Sequence, residues 1–232
     1  MRKLKLIGVL GLCTIMLSLT GCHKAQPKTQ IKQTEINKTL TANDIIKVTR
    51  KAKQNISSGN VTVATSNGKS KKQILTTKFS TLNNTAYRKL SVQSHGKETK
   101  FIEMWFKNGK AIGRNAHNSA WLKANGNGKQ IAKETQVSLQ KAISAFSNKN
   151  LASKCQAVQK NGQIIITYNS TTPERGTSTN NNEAQLVLNS ATDELTNYTL
   201  TRTDGKTAIT TTFTDVNNLN ALKVPKNARQ AM

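Results

Sequence analysis

Phe101-Ile102-Glu103-Met104-Trp105-Phe106, running on through Lys107-Asn108-Gly109-Lys110 into Ala111-Ile112, is the stretch on which the fold turns. In an extended chain Ile102, Met104 and Phe106 point to one side, and Phe101 and Trp105 to the other. A strand that is apolar on both sides must be covered on both sides or must line a cavity. Asn108-Gly109 then tolerates the positive φ of a tight hairpin. The same alternation extends outward from Val61 to about Lys123, where short runs rich in Thr, Val, Ile and aromatics are separated by Asn67-Gly68, Asn83-Asn84 and His95-Gly96. This spacing predicts an antiparallel meander.

Two helices flank it. Thr41 is a good N-cap, Asp44 completes a capping-box-like pair, and Ile45, Val48, Ala52 and Ile56 share one apolar face, with Gly59 as the expected stop. Lys47, Arg50, Lys51 and Gln54 make the opposite, solvated face. A second helix is expected from about Gln130 to Phe146, with Ile131, Thr135, Leu139, Ala142, Ile143 and Phe146 turned to the core. Strands then resume over 151–159, 163–168, 184–188, 194–203 and 206–214, with turns at Asn161-Gly162 and Asp204-Gly205. Ser170 to Asn182 holds turn and loop residues only and reads as a long loop or rim. The order of helix, hairpins, helix, hairpins predicts an α+β domain with one large antiparallel sheet and helices packed on one face.

The N-terminus carries a different signal. Arg2, Lys3 and Lys5 precede an almost uncharged apolar run from Leu6 to Leu19, which is short for a permanent membrane helix and suits a signal-peptide core. Leu19-Thr20-Gly21-Cys22 resembles the lipobox of bacterial lipoproteins. The resemblance implies cleavage between Gly21 and Cys22 by signal peptidase II, and lipid (diacylglycerol, palmitate-type acyl chains) on the Cys22 thiol. The expected organisation is a lipoprotein signal peptide over 1–21, a flexible tether over 22–40 and one domain over 41–232. A coil of the tether's length spans about 25 Å root-mean-square, enough to hold a domain just off the headgroups. The expected location is the extracytoplasmic face of the cell membrane, held through lipid on Cys22.

The chain has 35 Lys and Arg against 11 Asp and Glu. Three of the basic residues and none of the acidic ones precede Cys22, leaving 32 against 11, a formal charge of +21 on the mature chain. Such an excess attracts anionic lipid headgroups or anionic envelope polymers. Nucleic-acid binding is not expected, because the basic residues are scattered and aromatics make up only 4% of the chain. Cys13 leaves with the signal and Cys22 is the anchor, so Cys155 has no intramolecular partner and the fold must rest on its apolar core. Cys155 itself reads as a small buried apolar residue.

The opening LTANDIIKVTRKAK (40–53), the strand FIEMWFKNGKAI (101–112) with Trp121-Leu122-Lys123 after it, and the ending TAITTTFTDVNNLNALKVP (207–225), with Leu222 before Val224-Pro225, resemble the LolA-like and LppX/LprG-like superfamily of bacterial lipoproteins. They are most similar to its Gram-positive membrane-anchored branch, over Leu40 to Pro225. The resemblance implies a half-barrel: a strongly curved sheet with helices on its inner face and an apolar cleft that shelters acyl chains. This chain departs from that pattern in having few aromatics.

Little points to catalysis. His23 sits beside the anchor, His95 in a turn and His117 in a loop; none has a Ser, Cys or carboxylate at an informative spacing. Asp193-Glu194 and Asp204-Gly205 fall in predicted turns. No metal-ligand motif, glycine-rich loop or nucleophile elbow occurs, so no catalytic residue, metal or cofactor is expected. The candidates for binding lipid are Phe101, Met104, Trp105, Phe106, Ile112 and Trp121, with Ile164 and Ile166 from the second half. Each taken singly reads more readily as core, and burial energy does not separate the two, since burial against protein or against an acyl chain yields the same roughly 25 cal/mol per Å². The expected function is a non-catalytic, membrane-anchored lipoprotein of the cell envelope that binds or carries lipid. The alternative is an interaction protein with a packed core, whose basic surface holds wall polymers or a membrane-protein partner.

Overall fold

The computed structural model describes residues 37–67, 71–173, 179–204, 207–219 and 222–232. The expected signal peptide, Gly21, Cys22, His23 and most of the tether lie outside the described residues. Among those described, twelve strands form one antiparallel sheet that does not close. Strands β2 (Ser58–Asn67), β3 (Lys71–Ser80), β4 (Thr85–Ser94), β5 (Lys97–Lys107), β6 (Lys110–Asn115) and β7 (Asn118–Ala124) form the first meander. The second comprises β8 (Gln156–Lys160), β9 (Gln163–Pro173), β10 (Thr179–Asn189), β11 (Leu195–Asp204) and β12 (Thr207–Thr214). The last strand pairs back onto β2, Phe213 opposite Val61, and so fuses the two meanders into one sheet. A short β1 (Lys38–Thr39) pairs with β8 at the far edge, so the sheet takes in two residues expected to belong to the tether.

The hairpins close where Asn and Gly were expected to close them. Asn84, His95, Asn108 and Asn161 all have positive φ, and Gly96 and Gly162 follow suit. Asn and Gly reach this region at the smallest steric cost. Gly68 and Gly205 lie outside the described residues.

Helix α1 (Ala42–Ala52) starts with the expected capping box. The Thr41 backbone N–H donates to Asp44 Oδ2 at 2.9 Å, and the Asp44 N–H donates to Thr41 Oγ1 at 3.3 Å. The Thr41 N–H, and then the Thr41 hydroxyl donating to the same Oδ2 at 2.8 Å, hold the Asp44 carboxyl below its usual range. The helix ends earlier than expected, with Lys53 as C-cap, and Gly59 belongs to β2 instead. There a Cβ would come within 3.1 Å of the buried Phe79 ring, so this glycine makes room for a core side chain rather than ending a helix. Ile45 and Ala52 are buried as expected, Val48 is only half-buried, and Thr49 takes the remaining core position. It can do so because its hydroxyl donates to the Ile45 carbonyl at 2.7 Å.

Helix α2 (Gly128–Ala145) matches the expected second helix, with Asn127 accepting from the Lys129 and Gln130 N–H groups. Gly128 is needed for close approach: a Cβ there would lie 2.4 Å from the Asn84 carbonyl oxygen and 2.9 Å from that of Phe106. Gln140 donates to the Lys53 carbonyl at 3.1 Å, and Gln136 donates to that of Ile56, tying α2 to the end of α1. Two expectations are corrected. The strand expected from Leu151 begins as a four-residue helix, α3 (Lys149–Ala152), because Asn148 caps it through the Asn150 N–H and Ala152 is buried in the core. The loop expected over Ser170 to Asn182 is largely strand: β9 and β10 pair as far as Pro173 opposite Thr179. Thr-rich polar chain extends well, and the ladder satisfies its backbone without needing apolar side chains.

The main core joins Ile45, Ala52, Leu139, Ile143 and Phe146 of the helical segments to Phe79, Ile164, Ile166, Leu186, Leu188, Tyr198 and Phe213 of the sheet. Cys155 packs against it; its thiol donates to the Leu151 carbonyl at 3.3 Å, and burial pushes its pKa up.

Candidate functional site

Side chains directly opposite each other on neighbouring strands share a face. From Phe213 the register runs to Val61 and Thr77, then Arg88 and Met104, so these lie on the same face as the core residues Phe79, Ala86 and Phe106. One residue pair further from the helices, Leu200 stands opposite Thr211, Thr211 opposite Val63, Val63 opposite Leu75, Leu75 opposite Leu90, and Leu90 opposite Ile102. This row crosses six strands on the core face, and much of it is uncovered: Leu75 is 37% exposed, Leu90 43% and Ile102 53%. Leu122, beside Gly113, is 57% exposed on the same face, and Ile209, beside Thr65, is 40% exposed. Most of the large exposed apolar side chains among the described residues therefore lie on the face that elsewhere forms the core.

Two hollows end this band. One of about 300 Å³ is lined by Leu90, Val92, Phe101, Ile102 and His117. The other, about 510 Å³, is lined by Ala142, Phe146 and Leu151 with Tyr168, Ala184, Tyr198, Leu200 and Arg202. Both are within the size range of small-ligand sites. Leu200 belongs to the second hollow and to the apolar row.

The eight residues expected to bind lipid do not converge. Ile164 and Ile166 are fully packed in the main core. Phe106, with half-buried Met104, packs among Ala86, Ala111 and Ile131 at the start of α2. Trp105 and Ile112, with half-buried Trp121, lie on the opposite face of the sheet, under Val224 and Ala228. Phe101 is half-buried with Lys89 Nζ 5.0 Å from its ring centroid. From Met104 to Phe106 the double-sided apolar strand is thus covered on both sides, by α2 on one and on the other by the C-terminal segment with its short helix α4 (Lys226–Arg229), whereas Ile102 stays open. Of the eight, only Met104 and Phe101 border the uncovered band. Leu75, Leu90, Leu122 and Ile209 were missed, because each reads alone as an ordinary strand residue and only register brings them together.

The opposite face holds a compact polar cluster. Glu103 is buried, accepts from the Tyr87 hydroxyl at 2.7 Å and pairs with Arg114. The Arg114 guanidinium lies 4.7 Å from the Trp121 ring centroid, and the Tyr87 and Trp105 rings are 4.8 Å apart. Burial, and the hydrogen bond to Glu103, push the Tyr87 pKa up, so the phenol stays protonated as the donor. Each charged group has its partner, as burial requires.

Among the described residues no cluster of His, Cys, Asp and Glu could hold a metal, and no helix is long and apolar enough to cross a membrane. His95 and His117 are exposed, in turns. Comparison with protein-family models finds no match, and comparison with curated proteins finds none either.

Proposed function

We propose that this chain is an exported lipoprotein, anchored by lipid on Cys22 at the extracytoplasmic face of the membrane, and that its domain binds or carries lipid without catalysis. In this reading the sheet is the half-barrel of the LolA-like and LppX/LprG-like superfamily, with helices on its inner face, and the uncovered apolar band is the open part of its cleft. One observation supports it above the others: Leu75, Leu90, Ile102, Leu122 and Ile209 are exposed on the core face rather than scattered over the surface. Contiguous apolar surface of this kind is costly in water and marks a binding site. An acyl chain laid across the strands would complete the burial that the helices leave unfinished.

Native mass spectrometry of the purified protein tests this directly. The expected spectrum contains a population heavier by the mass of a lipid, which organic extraction removes. Protein that stays lipid-free even after incubation with lipid vesicles, yet binds anionic wall polymer, would replace the carrier with the interaction protein.

A further inference from the structure

Arg88 stands in the middle of the core face, between Thr77 and Met104 in register. Its strand neighbours on that face are Ala86, which is fully buried, and Leu90, which belongs to the apolar band. The residue is half-buried, its Nε is completely buried without a hydrogen-bond partner, and none of the ion pairs among the described residues includes it. An arginine that merely lays its stem over apolar surface keeps its donors in water. Here a donor of a group that is always charged is withdrawn from water and left unpaired, an arrangement that favours an incoming acceptor.

The surrounding charge has the same sign. Among the described residues, the other charged strand residues facing this side in register are Lys38, Lys71, Lys97, Lys100 and Arg202, with Asp204 as the acid at the far rim. Glu103, which pairs with Lys89 beside Arg88, lies on the opposite face and is already held by Tyr87 and Arg114, and Glu98 is held by Lys89.

We propose that the ligand of the apolar band is an anionic amphiphile, whose carboxylate or phosphate is bound by the Arg88 guanidinium while its chain lies along Leu75, Leu90 and Ile102. This rests on the lipid-carrier reading and adds the class of lipid. Guanidinium holds carboxylate or phosphate oxygens through paired N–H donors, and those bonds strengthen where water is excluded.

The test is titration of the purified protein with a fluorescent long-chain fatty acid and with its methyl ester, for wild type, Arg88→Met and Arg88→Lys. Wild type should bind the acid at least tenfold more tightly than the ester. Arg88→Met should bind the ester as wild type does, which shows that it is folded, and should bind the acid no better than the ester. Arg88→Lys should keep part of the preference. Competition by dodecanoate against dodecyl phosphate then shows which anion the site favours. Equal binding of acid and ester by wild type would overturn the proposal and leave the carrier intact. A preference undiminished in Arg88→Met would also overturn it, assigning the effect to the diffuse positive surface. If neither probe binds wild type, the carrier reading fails and the proposal falls with it.

Discussion

Ile102→Thr separates a binding surface from a core more sharply than any other single change. Complete burial of an isoleucine side chain is worth about 1.5–3 kcal/mol. Because Ile102 is 53% exposed, roughly half of that, about 1 kcal/mol, is already realised in the fold and a similar amount remains for a ligand to gain. Threonine keeps the β-branched shape that suits the strand and removes most of the apolar contact. Stability should fall by about 1 kcal/mol or less, and affinity for a long-chain fatty acid by about fivefold. Adding Leu90→Thr and Leu122→Thr should bring the loss to around a hundredfold, less any coupling between the adjacent Leu90 and Ile102. Phe106→Ala is the contrast: on the same strand and face but buried, it should cost about 3–5 kcal/mol. The assay pairs a denaturant midpoint with a fluorescence titration for each variant. Wild-type affinity in the triple variant would refute the reasoning, and so would a core-sized stability loss in Ile102→Thr.

Trp105, 9% exposed under Val224 and Ala228, should behave as core. Trp105→Ala should cost about 3–5 kcal/mol and leave lipid binding by the surviving folded fraction unchanged, as chemical denaturation and titration would show. Thr41→Ala removes the cap of α1 and should cost about 1 kcal/mol near neutral pH. The Thr41 backbone N–H and then its hydroxyl hold the Asp44 pKa below its ordinary 3.8, and only the hydroxyl's share goes with the substitution; that share is complete above 3.8 and is lost as pH falls through the lowered value. The wild-type advantage should therefore shrink in acid melts; an advantage constant down to pH 2 would contradict the linkage. Cys22→Ser should abolish incorporation of labelled fatty acid and release the protein from membrane pellets. Continued labelling would place the lipid elsewhere.

What the sequence determined by itself was local. Thr41 and Asp44 announce the start of α1 because a capping box needs only residues three apart. Asn84, Asn108 and Asn161 announce hairpins because positive φ is a property of single residues. The two-sided character of the strand also held over its second half: α2 covers Met104 and Phe106 on one side, and the C-terminal segment covers Trp105 on the other. The end of α1, the helix at Lys149–Ala152 and the strands through the polar stretch after Tyr168 were not legible. Gly59 looks like a helix stop until Phe79, twenty residues on, claims the space beside it. A Thr- and Asn-rich segment looks like a loop until a neighbouring strand supplies its hydrogen bonds. The candidate site lies further still from local reading. Leu75, Leu90 and Ile102 come from three different strands, and only pairing places them in one row. Whether an apolar residue is core or cleft depends on how far the helices reach across the sheet. Here α2 covers Phe106 and stops short of Ile102 on the same face, and that difference belongs to the tertiary structure alone.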